Sequence, residues 1–364
     1  MSEAYAAVLK VELFALVFIV NEGDGWNRMA TIKDVAKLAG VALSTASYAL
    51  SGDHRVSAKT REKVIEAARQ LNYHKNGFAM DLKRSRTNTI ALILADLSGP
   101  FYSELIRSVQ EVALSNGYDL IACSSIGERD STAVRFLREK RVDGAVVLAY
   151  NMTDEVLQAS AGPNFPIIAM DRVISGEGLV SIIVDGESGG YEATRYLINK
   201  GHRKVAYISG PSNSFANSLR YQGFLRAMKE AGLEEQAKWR LSGGFIRDGG
   251  YRATKMMLMQ GELPTAIFYG NDEMAIGGLK AFEESGIRVP EDISIIGFDD
   301  IELTEFIRPP LTTIRQPMYE SGSLAGHLLF QMLNGESVNE SYKLNVQIIE
   351  RQSVSAPAKH NSSV

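Results

Sequence analysis

The sequence predicts a small all-α helix-turn-helix head joined to a larger α/β body of two lobes, each built on a doubly wound parallel sheet. Three observations predict it. Residues 31–71 carry apolar side chains at helical spacing, broken at Gly40 and again at Ser51-Gly52-Asp53. Beyond Thr89, short continuous apolar runs alternate with amphipathic helical stretches, and the alternation restarts after Gly189. Charge is also segregated. The 364 residues sum to −4, yet over residues 29–86 eleven Lys and Arg stand against five Asp and Glu. A local basic excess of that size attracts phosphates, and the acidic remainder suits a different partner.

Composition excludes several function classes. Hydrophobic residues make up 45% and charged residues 23%, ordinary values for a globular protein. The lone Cys123 excludes an internal disulfide and reads as a small core residue. His54, His74, His202, His327 and His360 have no zinc-like spacing. There is no P-loop, dinucleotide fingerprint or nucleophile elbow, so no metal, no cofactor and no enzymatic activity are expected. The apolar run ending at Val20 is short and interrupted by Lys10 and Glu12, which argues against a membrane span, and no signal-type cleavage site follows it. Residues 1–28 read as an upstream or disordered extension with Met29 as the first residue of the working protein. Glu22-Gly23-Asp24-Gly25 requires purine-rich codons like those of a ribosome-binding site. A cytoplasmic location is expected.

In the head, Thr31 can cap a first helix, Ile32–Ala39, whose Ile32, Val35, Ala36 and Ala39 share a face, with Asp34 in the first turn. Gly40 ends it and Val41 plugs the turn. A second helix over Leu43–Leu50 points Ala46, Ala49 and Leu50 inward. It leaves Leu43, Ser44, Thr45, Ser47 and Tyr48 outward, a short or amphipathic face suited to a major groove. Ser57 caps a third helix over residues 58–71, with Val64, Ile65, Ala68 and Leu71 completing a small core. Any small helical bundle would share this periodicity; the basic excess and the outward face favour DNA.

In the body, strands are expected at Ile90–Leu94, Leu120–Ser124, Gly144–Ala149, Pro166–Met170 and Ser181–Val184, then Val205–Ser209, Ala266–Tyr269 and Ser294–Gly297. Helices are expected at Glu104–Asn116, Asp130–Lys140, from Gly189 to Lys200, Leu219–Ala231 and Glu273–Ser285. Ligands of such sheets sit at the carboxyl ends of strands. That rule singles out Phe101 and Tyr102, Asp171 and Arg172, Asp185, Asn271 and Asp272, and Asp299 and Asp300. Carboxylates and amides with nearby rings suit a sugar-like polyol, whose hydroxyls take paired hydrogen bonds while its apolar face stacks. Singly, each carboxylate also suits a helix cap or a loop ion pair, the reading preferred for Asp272 and Asp300.

The segments ATIKDVAKLAGVALSTASYALSG, VSAKTREKVIEAARQLNY and NGFAMDLKRSRTNTIALI resemble the DNA-binding head, hinge helix and body entry of the LacI/GalR family. HRKVAYISGPSNSFANSLRYQGF, FYGNDEMAIGGLKAF and VPEDISIIGFDDIELTEFIRPPLTTIRQP resemble its effector domain, itself similar to periplasmic sugar-binding proteins. The resemblance spans most of residues 30–355. It implies a head at 29–75, a hinge helix at 76–86, a two-lobed effector and dimerisation domain at 87–356 with crossings near 187 and 315, and a polar tail at 357–364.

The resemblance also implies roles. Leu43, Ser44 and Tyr48 match base-reading positions, with Thr45 and Ser47 near phosphates and Thr31, Asn76 and Lys83 as further DNA contacts. Leu82 matches a leucine wedge that opens a central minor-groove step. Phe101, Tyr102, Asp171, Arg220, Phe245, Asn271 and Asp299 match effector contacts. There are departures. Ala42 replaces a usual Ser, Lys75 a usual Pro, and Gly186 and Gly99 replace usual Asn residues near the cleft, so the ligand can differ from the commonest sugars. The implied function is a transcription repressor, working as a homodimer on a pseudo-palindromic double-stranded DNA operator and switched by a sugar-like effector. A plain sugar receptor would keep the body but has no use for the head. Failure of residues 29–364 to shift operator DNA in a gel would favour the receptor. The reading helix offers no Arg, Lys, Asn or Gln on its groove face, so bidentate base contacts from it are expected to be sparse.

Overall fold

The computed structural model describes residues 30–73, 86–127 and 131–358. They form two compact units, one on either side of residues 74–85. The extension at 1–28, most of the hinge segment and the end of the tail lie outside the described residues, as do Asn76, Leu82 and Lys83.

The first unit is three helices, α1 (Ile32–Ala39), α2 (Leu43–Leu50) and α3 (Ala58–Gln70). The Asp34 carboxylate accepts from the Thr31 N–H at 2.8 Å and from its hydroxyl at 2.6 Å, closing the start of α1. Gly40, at φ 65°, stops α1, and the Val41 N–H returns to the Ala36 carbonyl at 3.0 Å. Val35, Ala46 and Val64 are fully buried at the centre, with Ala36, Ala49, Val56, Ala67 and Ala68 around them. The expected inward Ile65 is corrected: it faces solvent, and Ala67 takes the core position. The helices approach closely enough that the α3 stripe is a narrow one of Val and Ala.

The second unit carries two parallel sheets. In chain order its elements are β1 (Thr89–Leu94), a 3-10 turn Pro100–Tyr102, α4 (Ser103–Ser115), β2 (Asp119–Ser124), α5 (Thr132–Arg138), β3 (Gly144–Leu148), α6 (Asp154–Ser160), β4 (Ile167–Met170) and β5 (Leu179–Val184). There follow α7 (Gly186–Asn199), β6 (Val205–Ser209), α8 (Phe215–Glu230), β7 (Arg240–Ser242), α9 (Arg247–Leu258), β8 (Ala266–Tyr269), α10 (Asp272–Glu283) and β9 (Ser294–Ile296). The last are α11 (Leu303–Phe306), β10 (Thr313–Arg315), α12 (Met318–Leu333), β11 (Ser341–Leu344) and β12 (Gln347–Ile349). The first lobe's sheet has the order β11-β5-β4-β3-β1-β2 and the second lobe's β7-β6-β8-β9, while β10 and β12 pair antiparallel.

Successive residues of a central strand bury into opposite layers, which is why these strands read as unbroken apolar runs. Ile90, Leu92 and Leu94 pack toward α4 and α12, and Ala91 and Ile93 toward α5 and α6. In β6, Val205 and Tyr207 face the layer of α7 and α8, and Ala206 and Ile208 that of α9 and α10. The chain passes between lobes at Asp185, again around Gln316, and a third time between β11 and β12. Three strands of connection make a hinge stiffer against twist than two.

Glycine sets helix spacing in the second lobe. A Cβ on Gly223 would lie 2.1 Å from the Glu187 carbonyl oxygen, and one on Gly190 2.1 Å from that of Arg220. Both obstacles are backbone, so α7 and α8 could accept a methyl group only by separating. Gly223→Ala is expected to destabilise the second lobe by about 1–3 kcal/mol, read as a lower calorimetric melting temperature. An unchanged melting temperature would contradict this account of the packing.

Candidate functional site

A cavity of 850 Å³ opens between the two lobes at the carboxyl ends of the strands. All seven residues singled out for the effector line it: Phe101, Tyr102, Asp171, Arg220, Phe245, Asn271 and Asp299. Phe101 and Tyr102 sit in the 3-10 turn beyond β1, their rings edge to face with centroids 5.0 Å apart. Asp171 follows β4, Phe245 follows β7, Asn271 follows β8 and Asp299 lies just beyond β9. Arg220 comes from α8, whose first turn opens onto the same space.

Arg220 is buried. It stacks over the Phe298 ring with 3.9 Å from guanidinium carbon to ring centroid, and stands 5.3 Å from the Phe245 centroid. Its Nη1 donates to the Gly270 carbonyl at 2.5 Å and lies 3.6 Å from Asp299 Oδ1, while its buried Nε has no partner. Asp299 accepts a 2.6 Å hydrogen bond from Gln316. Burial pushes its carboxyl up to about 7. Arg220 and Gln316 pull against that shift, and Asp171 and Glu273 add to it. Burial also raises Asp171, opposed chiefly by Arg220. Arg220 thus pairs with Asp299 and also lowers the charge cost at Asp171 from the other lobe.

The Asn271 side chain caps α10 by accepting from the Met274 N–H at 3.0 Å and donates to the Phe245 carbonyl at 3.1 Å. Asp171, Phe245 and Asp299 all hold positive φ, at 51°, 65° and 125°. Such backbone costs free energy and persists where surrounding structure enforces it, commonly at binding sites.

Several groups at the site escaped sequence reading. Gln316, buried behind the cavity, is the clearest, since nothing local marks a Gln before Pro317 as a partner of Asp299. Arg247 pairs side-on with Glu273 through bonds of 3.0 and 2.9 Å at the rim. Phe215, Ile246, Val173 and Tyr150 leave apolar surface exposed around the cavity. Other residues singled out by strand-end position are structural. Asp272 is fully buried outside the cavity, accepting from the Ile301 N–H and the Thr313 hydroxyl. Asp300 pairs with Arg315 and Arg351, and Asp185 caps α7 and pairs with Lys343. Arg172 lines the cavity but is tied to Asp154 at 2.8 Å.

In the head, Leu43, Ser44 and Tyr48 are exposed on α2, and Thr31, Thr45 and Ser47 are half-buried. Of the five residues expected to face outward on α2, three are exposed and Thr45 and Ser47 are only partly so.

Residues 31–76 match the model of bacterial regulatory proteins of the lacI family, and residues 194–354 match a periplasmic binding protein-like domain. The HTH-type transcriptional repressor PurR of Vibrio cholerae serotype O1 (strain M66-2) is 39% identical over 330 residues, covering 90% of this chain and 98% of its own. The chain belongs to the LacI family. Solved structures agree. The lac repressor dimer bound to operator and the anti-inducer ONPF is 30% identical with a TM-score of 0.74, covering 90% of this chain and all of that one. The transcriptional regulator CelR in complex with cellobiose is 29% identical with a TM-score of 0.67, covering 89% and 99%. This LacI-family member is accordingly a DNA-binding transcription repressor whose hold on operator DNA is governed by a small molecule, and not an enzyme. Among the described residues no helix is long and apolar enough to cross a membrane.

Proposed function

We propose that this repressor answers to a neutral sugar or sugar derivative bound between the lobes by Phe101, Tyr102, Asp171, Arg220, Phe245, Asn271 and Asp299. The observation that carries the reading is the convergence of two carboxylates, one guanidinium and one amide on a cavity that also presents the Phe245 ring. Carboxylates accept from sugar hydroxyls, Arg220 donates a planar fork, and the ring stacks on the apolar sugar face. Charge argues for a neutral ligand. Five carboxylates and three arginines line the cavity, and each arginine lies within 3.6 Å of a carboxylate. No uncompensated cation waits for a phosphate. CelR with cellobiose supplies a family precedent for a sugar in such a body.

On the DNA side, Leu43, Ser44 and Tyr48 meet base edges, Thr45 and Ser47 approach phosphates, and Thr31 steadies the start of α1 near the backbone. Asn76, Leu82 and Lys83 are retained as contacts on the strength of the family resemblance. The domain division at 29–75, 76–86 and 87–356 goes with this reading. The working form is a cytoplasmic homodimer on a pseudo-palindrome. Exposed Leu114 on α4 and Ile121 on the edge strand β2 support a face for the second copy. Effector changes operator affinity through its unequal affinity for two lobe arrangements.

The test is a thermal-shift screen of sugars, sugar phosphates and nucleobases, followed by operator release with each hit. A ligand that binds only the folded state raises its apparent stability. Neutral sugars are expected to stabilise. Stabilisation by nucleobases alone, or by phosphorylated sugars alone, would overturn the sugar reading.

A further inference from the structure

The α2 groove face lacks a residue able to fork onto a base pair, and the structure brings one to it from outside the helix. Ser51-Gly52-Asp53 turns the chain back, with Gly52 at φ 73° and the Asp53 N–H bonded to the Tyr48 carbonyl at 3.0 Å. Arg61 of α3 fixes this turn by donating to the Asp53 carbonyl at 2.7 Å. Asp53 then grips Arg55 side-on: Arg55 Nε donates to Oδ1 at 3.0 Å and Nη2 to Oδ2 at 2.6 Å. The guanidinium so held lies over the exposed Tyr48 ring, 4.1 Å from its centroid.

We infer that Arg55 is a specificity-determining residue that reads a guanine beside Tyr48, an inference that rests on the DNA-binding reading above. A guanidinium has five N–H donors. Asp53 occupies two along one edge, and Tyr48 is the other side chain that the guanidinium meets. The end edge formed by Nη1 and the outer N–H of Nη2 is not the one that Asp53 grips, and its donor spacing matches guanine O6 and N7 in the major groove. More than half of the side chain is exposed, at 59%. Ionic balance separates a base contact from a phosphate contact. The Asp53–Arg55 pair has no net charge, and its carboxylate would repel a neighbouring phosphate. Lys33, Lys37, Lys59 and Lys63 are better phosphate anchors. The Tyr48 ring beneath limits the rotamers open to Arg55, so less freedom is lost on binding.

The test begins with selection of a preferred site from a randomised duplex pool by the full-length protein. Each base pair of that site is then substituted and affinity measured at several salt concentrations. Arg55→Ala is expected to lose about ten- to a hundredfold of the preference for G·C at one symmetry-related position, with preferences at other positions unchanged and a shallower salt dependence, because it unmasks the Asp53 carboxylate. Arg55→Lys, which keeps the charge without the planar fork, should lose the same preference and guards against a folding defect in the alanine variant. Asp53→Ala should relax the same position while steepening the salt dependence, because it unmasks a cation. An equal loss across all sequences in Arg55→Ala, with the base preference intact at every position, would make Arg55 a phosphate anchor and overturn the inference. So would an unaltered preference in both Arg55 variants. Failure of the unmodified protein to enrich any duplex would remove the DNA-binding reading itself.

Discussion

Arg220→Ala is expected to leave operator binding intact and abolish the response to effector. Two effects combine. The substitution removes the planar donor that we assign to the ligand, and it strips the shared counter-charge from Asp171 and Asp299. Breaking a buried pair by deleting one partner costs about 3–5 kcal/mol, because the surviving charge is left uncompensated. Asp299 can escape part of that cost by taking up a proton, since its carboxyl already stands near 7 with Arg220 present. The variant should therefore melt earlier than the parent, and by more at pH 8 than at pH 6. Fluorescence anisotropy with operator DNA and calorimetry with the identified sugar separate the two functions. Arg220→Lys makes a useful companion. It keeps a cation near the carboxylates but cannot stack flat on Phe298, so it should recover stability more than ligand response. A normal ligand response in Arg220→Ala would sink the site assignment.

That assignment shows which parts of the molecule were legible in the sequence. β6 and β8 were read to the residue, because each is a short apolar run with polar or turn residues on both sides. The position rule for strand ends then brought Asp171, Asn271 and Asp299 to one place without any knowledge of side-chain contacts. Arg220 was different: nothing in the amphipathic pattern of α8 distinguishes it from Arg226, and only the family resemblance picked it out. α9 was not expected at all. Its first turn contains Gly249 and Gly250, poor helix formers, yet a Cβ on Gly250 would come within 2.1 Å of the Met274 carbonyl oxygen. The glycines are demanded by close packing of α9 on α10, a requirement that exists only once both helices are placed. Ile65 failed on helix phase. It lies one residue, about 100° of helix turn, beyond buried Val64, and the core face of α3 runs through Val64, Ala67 and Ala68 instead. Asp272 and Asp299 sit at similar strand-end positions and have opposite uses, one bonding a loop and the other facing the cavity. Local sequence cannot tell them apart, because the distinction depends on Gln316, Thr313 and Ile301, all from other parts of the chain.

The carboxyl of Asp299 also makes a pH prediction with a definite sign. Its ordinary value is 3.8 and burial raises it to about 7, so between these limits the folded protein holds a proton that the unfolded chain has lost. Stability from this group is therefore fully present below about pH 4, falls as pH rises toward 7 and stays low above it, a change on the order of a few kcal/mol. The groups that bear on Asp299 include Arg220 from α8, Gln316 from the lobe crossing, Asp171 from the end of β4, Asp272 and Glu273 from α10, and Tyr102 beyond β1. Asp299→Asn should erase this contribution, so the stability of the variant relative to the parent should rise as pH goes from about 4 to 7 and level off above it. Effector binding should run the opposite way. Sugar hydroxyls donate to the ionised carboxylate and so favour it, which means that the free protein must release a proton to bind below pH 7. Affinity should then rise as pH increases through about 7 and weaken by up to about tenfold per unit below it. Calorimetry in two buffers of different ionisation enthalpy measures the proton released. A flat affinity between pH 6 and 8, or proton uptake on binding, would show that Asp299 does not accept from the ligand in its charged form.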